Sequence, residues 1–131
     1  LTGATGFLGA FLLAELLQQS RVCIYCLVRA NDVSGGYKRL KSALEEYSLW
    51  KAEYEPYIIP VLGNLALPLF GLSSDDFTIL AESVSIIIHS GSLVQKAATS
   101  SCLWEFQVLV SWCRCTEETT IPHPQCTHLL L

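Results

Sequence analysis

The chain opens on Leu1-Thr2-Gly3-Ala4-Thr5-Gly6-Phe7-Leu8-Gly9 and runs straight into Ala10-Phe11-Leu12-Leu13-Ala14-Glu15-Leu16-Leu17-Gln18-Gln19. The second stretch is built from strong helix formers and is apolar nearly all round, as suits a helix packed on a sheet. Glycines allow φ values closed to other residues and let another group approach the main chain closely. A glycine turn that feeds a helix aims free N–H groups, and the positive end of the helix dipole, at one spot able to hold a pyrophosphate. The spacing alone also suits a plain tight turn. Its setting adds weight: Leu1-Thr2 reads as the end of a strand, and a buried strand follows the helix, which is the context of a dinucleotide-binding turn.

Residues 22–28 form a continuous β-prone run with a polar stop at Arg29, as expected of a strand buried on both faces of a parallel sheet. Residues 31–36 read as a polar loop and 37–50 as an amphipathic helix, with Leu40, Leu44 and Tyr47 at helical spacing. A third strand is expected over 57–62, stopping at Gly63-Asn64. Ser73 and Asp76 make a capping signal for a helix over 75–82. A fourth strand is expected over 84–89, before the small-residue loop Ser90-Gly91-Ser92. Alternating strands and helices point to an α/β fold, a Rossmann-like doubly wound parallel sheet. Residues 1–94 read as one nucleotide-binding unit and 95–131 as an irregular tail. The chain contains no Met and starts with only Leu1-Thr2 of a first strand, so it reads as a fold truncated at both ends. The first strand is normally central in such a sheet, so its neighbours should expose edges and leave the isolated chain poorly stable.

Composition narrows the function. At 51% hydrophobic and 15% charged the chain is expected to fold. A net charge of -4 gives no basic field for nucleic acid. The apolar stretch 7–17 is broken by Glu15 and falls short of the ~20 residues of a membrane span. Six cysteines without a signal peptide suggest free thiols in a reducing, cytoplasmic setting. Cys23-Ile24-Tyr25-Cys26 lies in a strand, where positions three apart face opposite sides, so a redox pair is not expected. Cys113, Cys115, His123, Cys126 and His128 fit no standard zinc spacing, and no metal is expected there.

At the end of the second strand a dinucleotide site distinguishes its two cofactors: an acid bonds the ribose hydroxyls, whereas arginine accommodates a 2′-phosphate. The chain places Arg29 there, with no Asp or Glu between it and Asp32. A planar guanidinium offers bidentate hydrogen bonds to phosphate, so NADP is expected over NAD.

The segments 2–9, Leu27-Val28-Arg29-Ala30, Arg39-Leu40, Pro60-Val61-Leu62-Gly63-Asn64-Leu65 and Ile88-His89-Ser90-Gly91-Ser92-Leu93-Val94 form an ordered set. Together they resemble the NADP-binding part of thioester reductase domains of the male-sterility type. These are extended short-chain dehydrogenase/reductases that terminate nonribosomal peptide synthetases, aminoadipate reductases and carboxylic acid reductases. The resemblance covers residues 1–94. It implies that Thr2, Gly3, Thr5, Gly6, Phe7, Leu8 and Gly9 hold the pyrophosphate. Arg29 would bind the 2′-phosphate with Arg39 as a second contact, and Asn64 and Leu65 would lie beside the adenine. His89, Ser90 and Gly91, with Ser92, would line the ribose and nicotinamide side. The implied reaction is hydride transfer from NADPH to an acyl thioester on an acyl or peptidyl carrier domain, giving an aldehyde or alcohol.

A carbonyl receiving hydride needs a positioned proton donor, usually Tyr, with a neighbouring Lys that lowers its pKa. The family carries a Tyr-x-x-x-Lys after the strand that ends at His89. Here the pattern occurs only upstream of that place, as in Tyr47-Ser48-Leu49-Trp50-Lys51, and no tyrosine follows Val94. Tyr47 is expected on an apolar helix face and Lys51 at a helix C-terminus. The chain alone therefore reads as catalytically incomplete. A non-catalytic NADP-binding or redox-sensing module, and a sugar-nucleotide epimerase fragment, stand as alternatives.

Overall fold

The computed structural model describes residues 1–91. Five regular elements alternate: α1 (Phe7–Gln19), β1 (Ile24–Val28), α2 (Val33–Glu46), β2 (Ile58–Leu62) and α3 (Ser74–Ser83), with short 3₁₀ turns at Ala52–Tyr57 and Pro68–Gly71. β1 and β2 pair in parallel, in a register that sets Ile24 opposite Ile58 and Val28 opposite Leu62. Pro60 sits mid-strand opposite Cys26. A proline has no N–H to give to a neighbour, so it suits a strand paired on one side.

Leu1-Thr2 is a short stub, yet it occupies the centre of the sheet. Thr2 makes parallel bridges to Leu27 on one side and to His89 on the other. The spatial order is thus β2, β1, the Thr2 stub, His89, which in chain order is third, second, first, fourth. That is the order of the Rossmann half-sheet. The stub thus meets β1 and the His89 segment by one bridge each, less than the full central strand of such a sheet. The fourth strand expected over 84–89 is reduced to its bridge at His89, where Thr2 lies alongside it.

The alternation of side chains along β1 divides two cores. Ile24, Cys26 and Val28 point into a cluster with Leu13 and Leu17 of α1 and Leu40 and Leu44 of α2. Leu27 packs into a second cluster around Phe70, Phe77 and Ala81, the last two on α3. Helices cover both faces, so the sheet is doubly wound. β1 is buried at alternate positions, unlike the evenly buried strand expected over 22–28.

α1 begins at Phe7, earlier than the helix-former run at residue 10. Its buried positions Ala10, Leu13, Ala14 and Leu17 follow helical spacing. α2 begins at Val33, where a loop was expected. The Asp32 carboxylate caps it by accepting from Gly35 N–H at 2.6 Å, which offsets the low helix propensity of Gly35 and Gly36. α3 starts where its capping signal falls, with Asp76 N–H donating to Ser73 Oγ at 3.1 Å.

Candidate functional site

The opening glycines perform three separate tasks. Gly3 turns the chain at φ +73°, and a Cβ there would stand 2.6 Å from Gly91 N. Gly9 lets α1 pack on the turn, since a Cβ would lie 2.0 Å from Gly3 O. Gly6 is different: its φ is -89° and a Cβ would meet only Gly3 O, at 3.4 Å. Its bare Cα keeps open the space before the helix. No side chain caps α1 and its first turn holds no acid. The first intrahelical bond runs from Ala10 N–H to Gly6 O and Gly6 N–H is spent on Gly3 O at 2.9 Å, so the amides of Phe7, Leu8 and Gly9 are the unmatched donors of the helix N-terminus. Thr5, Gly6, Phe7 and Leu8 are all exposed around this point. An uncapped, unblocked helix start with no competing carboxylate fits a diphosphate.

The other end of the sheet is laced to this turn. Thr2 is buried, and its Oγ1 lies 2.6 Å from His89 Nδ1 and 3.3 Å from Gly91 N–H. Ser90 Oγ donates to Thr2 O at 2.8 Å, and Ser90 N–H donates to the same oxygen at 3.2 Å. Desolvation holds the His89 pKa below its ordinary value. Thr2, Gly3, His89, Ser90 and Gly91 thus form one bonded unit.

Beyond the end of β1 an open cleft of about 780 Å³ is lined by Arg29, Asn31, Asp32, Gly35, Lys38, Arg39, Gly63, Asn64, Leu67 and Phe70, among others. Arg29, Lys38 and Arg39 bring three cations to it against a single carboxylate, that of Asp32, which is engaged in capping α2. Arg39 Nη1 donates to Arg29 O, which ties the second guanidinium to the end of the strand. Asn64 Oδ1 accepts from Ala66 N–H at 3.1 Å and shapes the wall. Leu65 is not in the cleft. It packs with Phe70 and Phe77, with Cδ1 turned toward Gly91, because strand and turn geometry send it to the opposite side from Asn64.

Sequence reasoning did not find Lys38 or the cleft side of Asp32. The signal was present: once Asp32 caps the helix, Gly35, Lys38 and Arg39 fall on one helical face. Tyr47 packs edge-on against Phe7, at 5.4 Å between ring centroids, and does face apolar neighbours. Lys51 does not end α2; it precedes the Ala52–Tyr57 turn and pairs weakly with Glu53 at 4.0 Å. Cys26 is buried and Cys23 exposed, so the two thiols occupy different environments. Ser92 and everything beyond it, including residues 95–131 and the Cys113, Cys115, His123, Cys126 and His128 group, lie outside the described residues.

The family model NAD_binding_4, described as "Male sterility protein", matches residues 1–109. A linear gramicidin synthase of Brevibacillus parabrevis is 53% identical over 94 residues, covering 72% of this chain and 2% of that protein. The L-2-aminoadipate reductase large subunit of Eremothecium gossypii is 45% identical over 113 residues, covering 83% of this chain and 8% of the relative. The terminal R domain of the myxalamid PKS-NRPS biosynthetic pathway superposes with a TM-score of 0.79 at 42% identity, covering 84% of this chain and 30% of that domain. The chain therefore spans a small part of these relatives' lengths. With its central glycine turn, its doubly wound sheet and a match over most of its length, the chain belongs to the male sterility protein family of NAD-binding domains.

Proposed function

We propose that this chain is the NADP(H)-binding part of a thioester reductase that reduces an acyl thioester carried on an acyl or peptidyl carrier domain, in the cytoplasm. The observation that carries the choice of cofactor is the cationic cleft beyond β1, lined by Arg29, Lys38 and Arg39, with its one carboxylate committed to a helix cap. When bound, the nicotinamide supplies hydride to the thioester carbonyl. The chain's residues bind and orient: α1 amides and Gly6 receive the diphosphate, Arg29 and Arg39 the 2′-phosphate, and Asn64 borders the adenosine. Leu65 supports that wall from the core side. The reductase assignment is supported by the kinship with the R domain and the aminoadipate reductase large subunit. The proton donor for the nascent alkoxide belongs to residues other than Tyr47, whose ring is packed against Phe7 and Phe11 on the α1–α2 surface.

Calorimetric titration of the full chain tests the cofactor. NADPH is expected to bind at least about tenfold more tightly than NADH, a margin that Arg29→Ala or Arg39→Ala should erase by removing a charge-assisted phosphate contact. Equal affinities for the two cofactors, indifferent to both substitutions, would overturn the reading.

A further inference from the structure

Thr2 is the buried polar side chain of the described core, and its surroundings constrain one proton. The hydroxyl has a single hydrogen and two lone pairs. Gly91 N–H approaches one lone pair at 3.3 Å, so the hydrogen must find an acceptor elsewhere. His89 Nδ1, at 2.6 Å, is the acceptor in reach among the described residues. Were Nδ1 protonated and donating instead, the Thr2 hydrogen would be buried without a partner, which disfavours that arrangement.

We propose that the Thr2 hydroxyl is a positioning residue that fixes His89 as the Nε2–H tautomer and clamps the 89–91 loop onto the diphosphate turn. Four hydrogen bonds from this one residue make the clamp: Thr2 N–H to Ile88 O at 3.0 Å, Ser90 N–H and Oγ to Thr2 O, and Gly91 N–H to Thr2 Oγ1. The fifth, to His89, sets the tautomer. Gly3, the next residue, begins the turn and touches Gly91 closely enough that no Cβ fits between them. A shift of the loop is therefore a shift of the turn. Neutral imidazole is what the clamp needs, and desolvation favours it. The result is a neutral imidazole at the carboxyl end of the parallel sheet. What the clamp serves rests on the cofactor reading above; the tautomer does not.

The test is nitrogen NMR of the full chain with labelled imidazoles, the three histidines being assigned by replacing His123 and His128 in turn. Wild type and Thr2→Ser should show His89 with Nδ1 unprotonated and Nε2 protonated. Thr2→Val, nearly the same size, should show a mixture, and its NADPH affinity should fall about tenfold while Thr2→Ser stays close to wild type. A merely structural Thr2 would lower the melting temperature of Thr2→Val and leave the tautomer alone. His89 protonated on Nδ1 in wild type, or a tautomer unchanged in folded Thr2→Val, would overturn the proposal. Should Thr2→Val fail to fold, wild type and Thr2→Ser decide. Absent NADPH binding by wild type would count against the cofactor reading, and the tautomer would still decide this one.

Discussion

Gly9 and Gly6 look alike in the sequence and behave oppositely in the structure. A Cβ at Gly9 would stand 2.0 Å from a backbone oxygen that cannot move without unwinding the turn. Gly9→Ala is therefore expected to lose more than about 3 kcal/mol, or to prevent folding, as read from a urea midpoint. An unchanged midpoint would contradict that contact. The spacing of the glycines reveals the turn because a turn is local. The division of labour among them is hidden, since it depends on Gly91 approaching Gly3 from far along the chain. The same holds for Thr2 and His89, which bond across 87 positions. Arg29 is legible from its place after a strand, whereas the Arg39 tether to the Arg29 carbonyl needs α2 to be placed first.

At the scale of elements, α2 shows how a short polar side chain overrides propensity. Ser34-Gly35-Gly36 is poor helix material, and the pattern of Leu40, Leu44 and Tyr47 points to a later boundary than the true one. Asp32 supplies the missing bond to Gly35 N–H. Asp32→Ala is expected to cost about 1 kcal/mol of stability and to fray the first turn, with Gly35 and Gly36 amides gaining hydrogen-exchange rate. Equal exchange in both proteins would mean that the cap is idle. Ser73 and Asp76 are readable in advance because the capping pattern stands directly before the helix it starts. The strand expected over 84–89 shortens for the opposite reason: apolar β-prone residues make a ladder only where a partner runs alongside, and the stub offers one bridge there.

At the scale of the whole molecule, the sheet is joined through Thr2. Thr2 joins β1 to the His89 segment, and the two cores lie on either side of that line. The alternation of elements makes this architecture legible; the central position of Leu1-Thr2 comes from the order of pairing. Cys26, at the heart of the larger core, adds a pH dependence. Burial raises its thiol from the ordinary 9.0 to about 11. The folded state then holds that proton more tightly than the unfolded state, so its contribution is complete below pH 9 and is lost as pH rises toward 11. Stability should fall by up to about 3 kcal/mol over that interval, and Cys26→Ala should fall less. Identical pH profiles would contradict it. Diphosphate binding on the bare main-chain amides that open α1 is tested most directly by Gly6→Leu. Its backbone φ suits any residue and its Cβ has room, so the fold should survive by circular dichroism. Calorimetric titration with NADPH should then show an affinity at least about tenfold weaker than wild type, because the side chain fills the approach to the helix start. A folded Gly6→Leu protein that binds NADPH as tightly as wild type would contradict the claim.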